Sequence, residues 1–273
     1  MPTVYCDHNV LVRTLDHEGI PPQGPFGDLV TDERAKFVFS PTHLVEAARA
    51  PTIERAAQLG EFVDWAARGW LRDRVGLELD EIKHALGVGP APVILCRTLT
   101  EVLARLHEDD PREAEVVTAA RMARAWRSRP ELLRPMENSV RQNREAFREN
   151  VRRFRVRKLT PERDTELSRA IVRRLCQIHR IAVTAEQANA TEIERMPTFH
   201  TEAVLSRMRW GRGGNLRWQG FMDNEHLIVA LPHVDVYVTF DIRQRRFARR
   251  LGEQCSSSHA RVVGSLNEIL EEG

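Results

Sequence analysis

Residues 234–239 read Val-Asp-Val-Tyr-Val-Thr, with valine at every second position. A short β-branched run of this kind predicts a strand. Similar short runs at Thr3-Val4-Tyr5-Cys6, 36–40 and 260–263 predict three more strands. Each run is followed by helical periodicity: Val10, Leu11 and Leu15 after the first, His43 to Ala48 after the second, 243–251 after the Val-rich strand and 266–271 at the end. Pro41 stands where a first helical turn tolerates it. Strands alternating with helices need right-handed crossovers, which predicts an α/β class, a central parallel sheet and helices on both faces.

Between Leu71 and Trp210 the texture changes. Apolar residues recur at helical spacing (Val93, Leu95, Leu99, Val102, Leu103, Leu106; then Val140, Phe147, Val151, Phe154), and prolines punctuate the stretch. This predicts a discontinuous α/β domain from 1–70 and 211–273, interrupted by a mainly helical insertion over 71–210. An apolar share of 42% excludes a disordered chain. No run approaches the ~18 apolar residues of a membrane span, and MPTVYCDHNV lacks a signal-peptide pattern. Cys6, Cys96, Cys176 and Cys255 lie far apart without metal-ligand spacing, so they read as reduced thiols and the expected setting is cytoplasmic.

The net charge of +2 conceals an asymmetry. Residues 121–180 hold 18 Arg and Lys against 7 Asp and Glu, leaving the remainder acidic. A basic segment of this size predicts an anionic partner, nucleic acid above all, or else a solvated helical face. The stretch 141–158 puts arginines around an apolar stripe, which fits one wall of a nucleic-acid groove or a docking face for a protein partner or a second copy.

Ligands of open parallel sheets bind beyond the carboxyl ends of the strands. Asp7 directly follows the first strand, and Asp241 follows the Val-rich strand by two residues. Glu46 lies in the first turns after the second strand, and Asp223 opens the helix that feeds the Val-rich strand. All four carboxylates are expected at one sheet edge. There they would repel one another unless a cation sat among them, so the cluster predicts a hard-metal site for Mg²⁺ or Mn²⁺. The competing reading of any one acid is helix capping, with Asp223 and Asp241 the clearest cases.

Four segments taken together resemble the motif regions of PIN-domain nucleases: Asp7-His8-Asn9, Ser40-Pro-Thr-His-Leu-Val-Glu46, Asp223-Asn-Glu-His226-Leu, and Asp235-Val-Tyr-Val-Thr239-Phe-Asp241. The resemblance covers roughly 1–70 and 211–273. It implies a three-layer α/β/α domain that cleaves phosphodiester bonds, usually of RNA, with one or two Mg²⁺ or Mn²⁺ ions, leaving a 5′-phosphate and a 3′-hydroxyl. Asp7, Glu46, Asp223 and Asp241 are then the metal-binding acids, with Asn9 and Thr239 orienting them. Asp235 is the substitute for Asp241 if the strand end is shifted. His8 departs from the family's usual Ser or Thr and bears on metal preference or substrate fit. Members of the family resemble toxins held by an antitoxin, which makes an antitoxin-like protein a candidate partner. A homo-oligomer is the other candidate assembly.

Around these acids, His226 stands three residues after Asp223 and is expected on the same helix face, orienting Asp223, touching a phosphate, or simply packing. Arg212, Arg217, Arg243 and Arg245 flank the edge as candidate phosphate contacts. Trp210 and Trp218 bracket the Gly211-Arg212-Gly213-Gly214 loop, as loop anchors or as stacking platforms for bases. The reading is a divalent-metal-dependent nuclease, RNA ahead of DNA. The alternatives are a structure-specific DNase and a nucleic-acid-binding or scaffolding module with weak or lost catalysis.

Overall fold

Strand residues alternate between two cores, and that alternation builds the protein. The computed structural model describes residues 1–106, 117–153, 161–210, 219–255 and 260–271. In chain order, β1 (Thr3–Cys6) leads into α1 (His8–Glu18) and α2 (Pro25–Thr31), and β2 (Lys36–Phe39) into α3 (Pro41–Ala47) and α4 (Ile53–Ala66). Next come β3 (Gly69–Leu71), α5 (Arg74–Ala85), β4 (Leu95–Cys96), α6 (Leu99–Leu106) and α7 (Ala119–Ser128). The helices α8 (Arg134–Arg153), α9 (Pro161–Ile178), α10 (Ala185–Ala190), α11 (Pro197–Trp210) and α12 (Gln219–Ala230) follow. The chain closes with β5 (Val236–Val238), α13 (Ile242–Gln254), β6 (Arg261–Val263) and α14 (Asn267–Leu270).

The strands form one sheet in the order β4-β3-β2-β1-β5-β6, parallel throughout except for the antiparallel β3–β4 pair. Val4 and Cys6 of β1, Phe37 and Phe39 of β2, and Val236 and Val238 of β5 face a core shared with α1, α2, α3, α4, α6 and α7. Tyr5, Val38 and Tyr237, the residues between them, face a core shared with α5, α11, α12 and α13. The period of two along each strand therefore covers the sheet with helices on both sides. A third core joins Phe147 and Val151 of α8, Ile171 and Leu175 of α9, and Phe199 and Ala203 of α11.

Two expectations about the middle of the chain change. Leu95–Cys96, in the stretch expected to be helical, forms the edge strand β4. The apolar stripe of α8 is buried, but Arg144 is not on a solvated face: it is 7% exposed and paired with Glu225. The stretch 154–160, with Phe154 and Lys158, lies outside the described residues. All four cysteines are buried and none is in a disulfide. Among the described residues no helix is long and apolar enough to cross a membrane.

Helix α7 is fastened to α4 by two residues one turn apart. Asp64 accepts hydrogen bonds from the Ala119 and Ala120 amides (2.7 and 3.0 Å), so a carboxylate of one helix meets the positive N-terminus of another. Gly60, on the same face, lets the backbones approach: a Cβ there would stand 2.6 Å from Ala120 N and 2.7 Å from the Ala119 carbonyl carbon. Both obstacles are backbone, which cannot rotate away. Gly60→Val is expected to lower stability by about 3 kcal/mol, the upper end for overpacking. A urea titration checks it, and a midpoint equal to that of the parent protein would show that α7 is not held this closely.

Candidate active site

The sheet order reverses beside β1, since β2 lies on one side and β5 on the other. This is the switch point at which open α/β sheets form a crevice at their carboxyl ends. Asp7 caps α1 there: its Oδ1 accepts from the Asn9 amide (2.8 Å) and, at longer range, from the Val10 amide (3.4 Å). Its Oδ2 accepts from Asn9 Nδ2 (2.9 Å) and Thr239 Oγ1 (2.6 Å). Asn9 and Thr239 thus hold one carboxylate in one orientation. Burial pushes the Asp7 carboxyl up to about 7 against those hydrogen bonds, and the nearby charge of Glu46 adds to the rise.

Asp7, Glu46, Asp223, His226, His8 and Asn9, together with Val12 and Arg13, line a cleft of about 270 Å³. Glu46 is carried in by α3 and Asp223 by α12, so three helices and one strand end supply the wall. His226 Nε2 lies 2.6 Å from Glu46 Oε2, and His226 Nδ1 lies 2.6 Å from the Tyr5 hydroxyl. Tyr5 in turn meets Ser40 Oγ at 2.7 Å. His43 accepts from the Ser40 amide at Nδ1 (3.1 Å) and pairs through Nε2 with the Cys6 carbonyl (2.7 Å), tying the start of α3 to the end of β1. Burial lowers His226 to about 3 and His8 to about 4, so both rings are neutral at physiological pH. Burial likewise raises Glu46 above its usual range.

The remaining expected site residues are distributed differently. Asp241 stays at the same edge, but it is exposed and caps α13 through the Arg243 and Gln244 amides (2.6 and 3.0 Å), and it does not line the cleft. Asp235 sits at the opposite end of β5, accepting from the Thr3 amide (2.7 Å), so strand geometry keeps it from replacing Asp241. Asp223 lies one turn inside α12 instead of opening it. Arg243 is exposed, whereas the Arg245 guanidinium lies against Gly264. Arg212, Arg217 and Trp218 are outside the described residues, as is the side chain of Trp210. Arg13, which no sequence motif singled out, supplies a cation in the cleft wall.

The cleft's donors suit a hard divalent cation in chemistry: carboxylates from separate elements, plus an unpartnered Asn9 Oδ1. His8 Nδ1, 3.6 Å from Glu46 Oε2, also lacks a hydrogen-bond partner. Among the described residues no three His, Cys, Asp or Glu side chains already converge as a cage. The donors are gathered at one cleft without being closed around a point.

Behind this wall lies a second polar assembly. Arg74 of α5 contacts Glu225 (2.9 Å), Glu78 (3.2 Å) and Glu202 (3.5 Å), while Arg144 of α8 contacts Glu225 (2.6 Å). Asn143 donates to Glu78 (3.1 Å). All five charged groups are buried, two cations against three carboxylates. Burial, with Glu202 and Glu225 close by, pushes Glu78 up to about 8 although Arg74 opposes the rise. A larger chamber of about 600 Å³ borders this cluster, lined by Val45, Trp126, Met136 and Met222. Of its charged side chains, Arg74 is paired with Glu225 and Arg49 with Glu137, and Asp73 accepts from the Gly76 amide (2.7 Å).

A carboxyl raised on folding adds stability at low pH and loses it as pH rises through its folded value. Glu78 at about 8, with Glu81 and Asp7 at about 7, lose this contribution from about pH 4, their unfolded range, up to those values, so the last of the fall, chiefly that of Glu78, lies above pH 7. The buried histidines act oppositely only below about 6.5, where the unfolded chain takes up protons. The melting midpoint is therefore expected to fall from pH 7 to pH 9. A flat or rising midpoint across that range would contradict the buried, proton-holding state of these acids. Comparison with protein-family models, curated proteins and solved structures finds no match for the chain.

Proposed function

We propose that this protein is a divalent-metal-dependent nuclease, PIN-like in its sheet domain, that hydrolyses phosphodiester bonds in RNA. The observation that carries the reading is the meeting of Asp7, Glu46 and Asp223, far apart in sequence, in one cleft at the sheet's switch point. Asp7, Glu46 and Asp223 would hold Mg²⁺ or Mn²⁺, with Asn9 Oδ1 as a further oxygen. A bound divalent cation supplies charge neutralisation of the phosphate and a water of lowered pKa. The chain's own part is positioning. Thr239 and Asn9 fix Asp7, His226 fixes Glu46, and Arg13 offers a cation to a phosphate arriving at the cleft. Burial lowers the proton affinity of His226 and His8, to about 3 and about 4, too far for either to be assigned as general base.

The engagement of Asp241 as a cap favours a second reading, a nucleic-acid-binding module without turnover. Matched single-stranded RNA and DNA, incubated with Mg²⁺ or Mn²⁺ or with chelator, separate the two. Metal-dependent loss of RNA supports the nuclease; retention of intact RNA on the protein supports the binding module; preferential loss of DNA moves the substrate to DNA.

A further inference from the structure

We infer that His226 is a positioning residue whose Nε2–H holds the Glu46 carboxylate, and that a directed chain of protons from Ser40 through Tyr5 fixes the ring to do so. The inference rests on the nuclease reading for its purpose, but its geometry stands by itself. Glu46 is an acceptor when ionised, so His226 Nε2 must carry the hydrogen across the 2.6 Å contact. In a neutral ring Nδ1 is then bare, and the Tyr5 hydroxyl, 2.6 Å away, is placed to donate to it. The Tyr5 oxygen, having given its proton, accepts from Ser40 Oγ at 2.7 Å. Each donor in the chain has one acceptor and each hydroxyl turns the same way. Reversal would set a bare Nε2 against a carboxylate, two acceptors in contact inside a buried site.

The chain ties four elements together. Ser40 precedes α3, Tyr5 lies within β1, His226 is on α12, and Glu46 is near the end of α3. Tyr5, Ser40 and His226 are each at most 1% exposed, so water does not compete for these bonds. With one Glu46 oxygen held by His226, the rest of the carboxylate is left to face the cleft. The arrangement is the reverse of a metal-bound histidine oriented by a carboxylate, and partners in that outer shell alter metal affinity by about 10–100-fold.

The test has two parts. In metal-free protein, ¹⁵N NMR of the histidine rings is expected to show His226 neutral, with hydrogen on Nε2 and a bare Nδ1; the opposite tautomer overturns the inference whether or not the protein is a nuclease. Mn²⁺ uptake is then followed by calorimetry in the full chain. His226→Leu is expected to weaken uptake by about 10–100-fold, whereas His226→Gln, which keeps an N–H in place for Glu46, retains most of it. Tyr5→Phe, which frees the ring without removing it, is expected to fall between wild type and His226→Leu. Folded His226→Leu with wild-type uptake overturns the inference, as does His226→Gln that folds and binds as poorly as His226→Leu. Where His226→Leu fails to fold, the Gln and Phe variants decide alone. If wild type takes up no Mn²⁺ while the tautomer is as expected, the nuclease reading fails and the histidine's metal-positioning role falls with it.

Discussion

Asp7→Asn is expected to reduce metal-dependent cleavage at least about a thousandfold while leaving the fold intact. A carboxylate about 4 Å from a single positive charge contributes about 4 kcal/mol at an effective dielectric near 20, and each 1.36 kcal/mol is tenfold in rate, so with a divalent ion about a thousandfold is the lower bound. The fold tolerates the change because its hydrogen bonds can be remade. The oxygen of the introduced carboxamide would still accept from the backbone amides that Asp7 caps. The new NH₂ group would face the Thr239 hydroxyl, which rotates, and the Asn9 side chain, whose unpartnered Oδ1 becomes an acceptor once its own amide turns over. At pH 8 the variant also loses a buried carboxylate whose proton affinity is raised to about 7, so its melting midpoint should equal or exceed that of the parent. Lost cleavage together with lost stability would point to a structural acid; retained cleavage would remove Asp7 from the chemistry.

The largest effect on stability belongs to Arg74. Replacing it with methionine leaves Glu78, Glu202 and Glu225 buried, with Arg144 as the cation that remains in the cluster. Breaking a buried ion pair from one side costs about 3–5 kcal/mol, because the stranded charges stay desolvated. The loss also releases the Val140 carbonyl, which Arg74 holds at 3.2 Å. Chemical denaturation of Arg74→Met at pH 7 should show a strongly lowered midpoint that recovers in part at pH 5.5, because a buried carboxyl that keeps its proton, as Glu78 does, costs less as the pH falls toward its unfolded value. Adding Glu78→Gln should restore part of the loss, and a double-mutant cycle gives the coupling. Additive effects of the two changes would mean that Arg74 and Glu78 do not share one charge balance.

What could be read along the chain was local. Asp7 follows a β-branched run directly and Thr239 closes one, so the pleat and the strand ends place them without knowledge of anything distant, while the role of Thr239 came from the family resemblance alone. Glu46 and Asp223 followed from the rule that parallel strands deliver their ligands at one edge. Asp241 had two readings, ligand and cap, and only geometry shows its carboxylate receiving two backbone amides. β4 escaped because two residues carry no periodicity, and its pairing depends on β3, more than 20 residues earlier. The Ser40–His43 cap is hidden by histidine standing at the position where a capping box normally has Glu or Gln. Arg144 was counted with a solvated basic face because its partner, Glu225, lies 81 residues away. Charge runs reveal the side chain's sign, and burial decides its use.

Glu225 stands between Asn224 and His226 on α12, two residues from Asp223, and its carboxylate is gripped by arginines from α5 and α8. The helix that presents Asp223 and His226 is thereby moored to the very stretch that looked like a separable insert. Excising residues 71–210 to obtain a miniature enzyme would strip Glu225 of both counter-ions and take α5 and α11 away from one face of the sheet. The two chain ends are not a portable cassette, and any grafting or trimming scheme must carry α5, α8 and α11 along with them.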